Sequence, residues 1–417
     1  MHEDNHIYSQ IKCDNAILLN MKILMLLDNQ FPPDIRVEKE ADSLLKQGNE
    51  VAILSYNYGG KNMDEIINGI RIFRFWIPNQ AAKKFLGFSL QLPFYRLIWQ
   101  QAIKRIFKLY SFDAVHIHDL PLCTLIQFIK RKYEVPVIAD MHENFPYLVA
   151  EQPYMDSLFV RIFLSKRKWF KKEKEWLAQA DSIICVAEEM KQRVETVLIN
   201  SRPVVVVPNT PATDELNASM ANLPLIATRF SGTFNVLYVG GIDPTRGIDI
   251  LIQSAKYAIK TIPGLKIIIV GDGKILSDMK HLVSSLQLDN TVSFEGWKPQ
   301  EEIGSYISIS DVCVIPHRKS PQTDNSSPNK LFQYLYFKKP VISSDCNSVE
   351  KLILTENCGM IYCDNSPEEL AAVMTFLYEN PGIRIEMGHS GYSSVMDKYN
   401  WDSTVGPLLS IYSDLKL

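Results

Sequence analysis

Short apolar runs, each too brief to cross a membrane and most of them followed by a helical pattern, recur along nearly the whole chain, and this alternation leaves few folds open. Residues 21–27, 50–56, 114–118, 136–140 and 182–186 are near-continuously apolar. That is the signature of strands buried on both faces, whereas residues 70–76 alternate and read as a half-buried strand. A helical pattern at 36–47 ends at Gly48, and others fill most of the gaps. Strand, helix, strand in this order predicts a doubly wound parallel sheet.

The pattern then pauses and restarts. Residues 203–211 read as a strand ending in a turn, and a polar, weakly periodic stretch follows at 212–232. Strands are expected again at 234–239, 265–270, 292–295, 312–316 and 341–344, with helices at 247–261, 277–286, 303–309 and 330–337. The expected architecture is therefore α/β: two Rossmann-like doubly wound domains facing a central cleft, with ligands at the carboxyl ends of the strands. The boundaries read as a disordered extension at 1–20, an N-terminal acceptor-side domain at 21–205 and a linker at 206–232. A second domain follows at 233–390, and a crossover helix at 391–417 packs back on the first. A chain of 417 residues is long enough for two cores.

Composition removes several function classes. With 46% hydrophobic and 22% charged residues and a net charge of -3, the chain is globular and lacks the basic balance of a nucleic-acid binder. No stretch reaches the length of a transmembrane helix, and the first twenty residues do not read as a secretory signal. Seven scattered cysteines without a CxxC pair suit a reducing cytoplasm. No His, Cys or carboxylate cluster has zinc spacing, so no metal is expected.

Three constellations point to chemistry. The segment from Gly240-Gly241 to Arg246-Gly247 follows a strand and opens a helix. Glycines admit close backbone approach, helix N–H groups face outward and Arg246 adds charge-assisted bonds, which together make a phosphate cradle. A tight strand–helix turn that needs glycine is the competing reading. The segment from Asp324 and Asn325 to Asn329, Lys330 and Gln333 again opens a helix with a cation near its N-terminus. Here the competing reading is an ordinary capped helix, with Ser326 or Ser327 as cap. Two cations on loops at one sheet edge would grip a diphosphate. The third constellation is His142 beside Glu143, just past the strand at 136–140, read either as a site pair or as structural.

Taken in order, MKILMLLDNQFPP, HIHDLPL, DMHENFP, VVVVPNTP, VGGIDPTRG and SPNKLFQYLYFKKPVISSD resemble the retaining glycosyltransferases of family four, with the GT-B fold, over essentially the whole chain from Met21. The subgroup it is most similar to makes bacterial cell-surface polysaccharides. The resemblance implies that Arg246 and Lys330 hold the donor diphosphate of a nucleotide sugar and that Gly240, Gly241 and Asn329 line the pocket. It implies that His142 meets the transferred sugar from the N-terminal side, that Gly296 and Trp297 lie near the nucleobase, and that Gln333 meets the ribose. Asn325 falls where a glutamate usually meets the sugar, so the family's Glu, seven residues, Glu becomes an amide pair. Asp324 offers a carboxylate one position earlier, and His317 lies just upstream.

Two further departures are Gly241 where an arginine is usual, and Pro33-Asp34-Ile35-Arg36 in place of a glycine pair. Arg36 faces a ligand or caps the structure. Metal-independent transfer on one face of the sugar, without a cofactor beyond the donor substrate, is the implied chemistry. The acceptor would be a glycan or a lipid-linked sugar. Residues 81–110 and 165–176 mix aromatics with cations, so peripheral contact with the inner face of the cell membrane is one reading and a packed amphipathic helix the other. A non-catalytic GT-B protein binding nucleotide or glycan, supported by the amides at 325 and 333, and a GT-B epimerase are the rival functions.

Overall fold

The computed structural model describes residues 20–78, 93–150, 165–198, 202–212, 220–326 and 328–415. The expectations for residues 1–19, for 79–92 of the aromatic–basic segment and for Ser327 lie outside them. Two compact units emerge: residues up to Met141 with 165–183 and 408–415, and residues 142–150 with 184–407. This division differs from the one read at 205: His142 groups with the second unit, and only the end of the closing segment groups with the first.

One sheet has the order β3-β4-β2-β1-β5-β6-β7-β8, built from β1 (Lys22–Gln30), β2 (Glu50–Asn57), β3 (Asp64–Ile67), β4 (Ile70–Trp76), β5 (Ala114–His118), β6 (Val137–Met141), β7 (Ser182–Cys185) and β8 (Val204–Val206). β1 pairs in parallel with both β2 and β5, so the strand order reverses between β1 and β5. β3 is antiparallel to β4 and escaped the sequence reading because it is short and exposed on alternate residues. The carboxyl end of β1 encloses the Asp28 carboxylate. Burial pushes it up to about 7, with the Tyr56 and Tyr95 hydroxyls partly offsetting this and Asp119 adding to it.

The second sheet is β11-β10-β9-β12-β13-β14, from β9 (Phe234–Val239), β10 (Leu265–Val270), β11 (Val292–Gly296), β12 (Val312–Ile315), β13 (Val341–Ser344) and β14 (Gly359–Tyr362). Neighbouring strands are parallel throughout. Alternate residues feed two cores. Val236, Ile267 and Ile269 pack with Leu251, Ala255, Leu370 and Met374 on one face. Leu237, Ile268 and Val270 pack with Ile303, Leu331, Leu335 and Val349 on the other. Burial on both faces is why these strands read as unbroken apolar runs. The order reverses between β9 and β12, which places a switch point beside the first strand of this sheet as well. The stretch expected to be a plain linker carries a short helix, Leu223–Arg229, anchored by buried Ile226.

Among the described residues no helix is long and apolar enough to cross a membrane, and six cysteines carry free thiols. The helix Lys166–Leu177 buries Trp169, Glu173 and Leu177, so part of that aromatic face is core. Arg36, left open between ligand and structure, is buried. It pairs with Glu40 at 3.0 Å and Asp140 at 3.1 Å, while Asp34 caps the helix by accepting from the Val37 N–H.

Candidate functional site

The second unit holds a cavity of roughly 390 Å³ where the loops after β9 and β12 come together, lined by residues that include His142, Gly240, Gly241, Arg246, Asn329 and Lys330. Its floor follows from backbone demands. Gly240 has φ +144°, and a Cβ there would collide with the Lys330 ammonium and stand 3.1 Å from the Tyr238 hydroxyl. The Lys330 amine thus takes the place of a side chain at 240, on a backbone conformation that glycine adopts freely. Gly247 has φ +62° and lies against the Pro316 carbonyl. The Arg318 N–H donates to the Thr245 carbonyl at 2.9 Å, and Arg318 pairs with Asp249. Main chain therefore ties the Arg246 loop to the segment after β12.

The two cations share one environment. Lys330 lies one residue into the helix Asn329–Tyr336, with its ammonium 4.2 Å from the centre of the Tyr238 ring. Burial, then the neighbouring Arg246, holds it well below the usual lysine range. A buried ammonium facing a guanidinium is relieved by an anion between them. His317 is buried, and burial with Lys330 and Arg246 keeps its imidazole well below its ordinary range. It is therefore neutral. Its Nε2 lies 3.3 Å from Arg246 Nη1, and because arginine only donates, that nitrogen accepts and the ring proton sits on Nδ1. The first turn of the Asn329 helix adds outward N–H groups to the same cavity.

Polar groups to which the sequence reading gave no ligand-contact role complete the lining: Asn209, Thr245, Gln322, Thr323 and Ser326. Gln322 Nε2 donates to Glu143, and Asn144 Nδ2 donates to the Pro321 carbonyl at 3.0 Å. These bonds tie the DMHENFP segment to the loop before Lys330. Asn209 Oδ1 and Gln322 Oε1 are buried with no hydrogen-bond donor among the described residues, as acceptors suited to hydroxyls would be. Gln322 lies in none of the motifs, and Asn209, although inside VVVVPNTP, was given no role there; each reaches the cavity only through the fold.

Several expected residues are not in the lining. Asp324 turns away, its Oδ1 accepting the Asn347 N–H at 2.9 Å, because the free amides opening the helix Asn347–Glu356 attract a carboxylate. Asn325 donates from Nδ2 to the Pro321 carbonyl at 2.7 Å within its own turn. Gln333 is one helical turn beyond Lys330 and does not line the cavity. Gly296 ends β11, and its carbonyl accepts the Gly271 N–H at 2.8 Å. Trp297 is 72% exposed. Neither of the last two touches the cavity.

Residues 35–214 match the model described as Glycosyltransferase Family 4, and residues 216–394 match that of Glycosyl transferases group 1. The chain is 24% identical to an uncharacterised glycosyltransferase of Methanocaldococcus jannaschii over 80% of its own length and 83% of that protein's. It is 25% identical to an alpha-D-kanosaminyltransferase of Streptomyces kanamyceticus over 44% of its length and 46% of that enzyme's. The fold superposes on sucrose-phosphate synthase from Thermosynechococcus elongatus with a TM-score of 0.76 at 17% identity, covering 95% of this chain and 99% of that one. It also superposes on the Anabaena protein HepE, solved in complex with UDP, with a TM-score of 0.67 at 13% identity, covering 94% and 100%.

Proposed function

The chain belongs to glycosyltransferase family four and has the GT-B fold, and on that premise we propose that it moves a sugar from a nucleotide-sugar donor to a glycan or lipid-linked acceptor, with retention, in cell-surface polysaccharide synthesis. One observation carries this reading: Arg246 and Lys330, from two loops at one switch point, share a cavity in which the buried Lys330 amine has no counter-anion among the described residues. A diphosphate there neutralises both cations. As the glycosidic bond breaks, the same cations stabilise the negative charge gathering on the leaving phosphate, which is the service a metal gives elsewhere, so the transfer runs without one. The acceptor's proton passes to that departing phosphate oxygen, and the bond to the acceptor oxygen forms on the face the diphosphate leaves. Asn209 and Gln322 present carbonyl oxygens to sugar hydroxyls, and His142 lines the same wall.

The protein works in the cytoplasm, peripheral to the inner face of the cell membrane. Phe94, Leu97 and Ile98 are exposed on the helix Pro93–Phe107, with Arg105 and Lys108 exposed further along the same face. That pattern suits an anionic bilayer surface. Co-sedimentation with anionic but not zwitterionic vesicles tests the point.

The donor test is a thermal-shift panel of UDP-, GDP- and CMP-sugars, since a ligand that binds only the folded state raises the melting point with the logarithm of its concentration. Turnover with the responding sugar, followed by NMR of the product anomer, tests transfer with retention against epimerisation. Silence across the panel removes the proposal. Unchanged turnover in both Arg246→Ala and Lys330→Ala removes the site.

A further inference from the structure

Outside the donor cavity, the first unit gathers two histidines and two carboxylates from three distant segments. Residues 116 and 118 alternate along β5 and so share one face, with ring centres 4.5 Å apart. Asp140 stands opposite His118 in the β5–β6 register. Glu40 comes from the helix Ile35–Lys46. All four are 0% exposed, and one ligand atom from each lies within 4.8 Å of the others.

The spacings match ligands around a common centre. His116 Nε2 is 3.8 Å from Glu40 Oε2 and 3.7 Å from Asp140 Oδ2. His118 Nδ1 is 4.0 Å and 3.5 Å from the same two oxygens. A tetrahedral ion with bonds of about 2.0–2.2 Å has ligand edges of roughly 3.4 Å, so a slight contraction closes the shell.

The surroundings have the character of a supporting shell. Arg36 holds Glu40 Oε1 at 3.0 Å and Asp140 Oδ1 at 3.1 Å, which leaves Glu40 Oε2 turned toward the rings. Its Nε also donates to Asp140 Oδ2 at 3.3 Å, the oxygen that faces both imidazoles. His116 Nδ1 lies 2.8 Å from the Tyr412 hydroxyl, which orients the ring with Nε2 inward.

We propose that Glu40, His116, His118 and Asp140 bind one divalent first-row transition ion, Zn²⁺ by preference, as a structural site. Imidazole and carboxylate suit such ions, and the complete burial of all four groups leaves no open position for substrate, unlike a catalytic zinc. The sequence shows no zinc spacing because the ligands come from a helix and two strands that meet only in the folded sheet.

The test uses the full chain, expressed with Zn²⁺ in the medium and freed of any polyhistidine tag. Elemental analysis after dialysis should give about one equivalent of zinc. A strong chelator should lower the melting point by several degrees, and added Zn²⁺ should restore it. Cobalt loading should give the intense visible bands of a tetrahedral site. His118→Gln and Glu40→Gln should lose both the metal and the melting-point response. Zinc below about a tenth of an equivalent, with a melting point indifferent to chelator and to Zn²⁺, overturns the proposal. So does full metal retention in the variants, which places the ion elsewhere. Should the variants fail to fold, the metal content and cobalt spectrum of the unaltered chain decide alone.

Discussion

Replacing Lys330 by methionine separates what the lysine costs from what it does. In the ligand-free protein its ammonium is buried beside Arg246 and held well below the usual lysine range. The sign follows: a lysine whose folded pKa is depressed destabilises the fold wherever the unfolded chain would bind the proton, and the penalty fades only as pH rises toward 10.5. Methionine has similar length and no charge, so at pH 7 the penalty disappears. Apolar replacement of buried ion pairs is neutral or stabilises by about 1–4 kcal/mol, an unpaired buried amine beside a guanidinium should gain on that scale, and each kcal/mol raises the melting point of a unit this size by roughly 2–4 °C. Donor binding moves the other way. Truncating one partner of a buried charge pair costs about 2–5 kcal/mol, a loss of roughly 30- to 4,000-fold in affinity. Differential scanning calorimetry of the free protein and titration with the sugar nucleotide that responds in the thermal panel measure the two arms. A variant that melts lower than the parent and binds donor as tightly refutes the argument on both counts.

Three further predictions extend the reasoning. Gly240→Ala drives a methyl into the Lys330 ammonium and forces a φ that alanine rarely adopts, so donor affinity should fall at least tenfold while circular dichroism stays native. Asp28, pushed up to about 7 by burial, contributes stability below its unfolded pKa near 3.8 and loses it as pH rises through about 7. The full loss is at most about 4 kcal/mol, so Asp28→Asn should out-melt the parent at pH 8 and match it far more nearly at pH 5. His317→Phe removes the acceptor that seats Arg246 and should raise the KM for donor several-fold with a smaller change in kcat, as steady-state kinetics will show.

The two sheets and most of their strands were legible in the chain because burial on both faces leaves an unmistakable apolar run. β3 was not, since its alternate residues are exposed. At the site, Arg246, Lys330 and the glycine pair were legible because a strand, a glycine and a helix start are contiguous in sequence. Asp324, read as a carboxylate standing in one position before Asn325, turns instead to the helix N-terminus at Asn347, a partner that no local spacing reveals. Trp297 stands largely exposed outside the cation cavity, since adjacency to a strand end does not fix which way an indole points. Gln322, Asn209 and the Glu40–His116–His118–Asp140 group lay beyond sequence reasoning for one shared cause: their neighbours come from other segments, and no local spacing encodes that.

The seam where Gly247 meets the Pro316 carbonyl and Arg318 reaches back to Thr245 means that the backbone carrying Arg246 is fixed against the segment after β12 by the polypeptide itself. Side-chain drift over generations can hardly alter it. On the proposed function, positions such as 209 and 322 are freer to change than that anchored backbone, so a different sugar could be taken without loosening the hold on its phosphates.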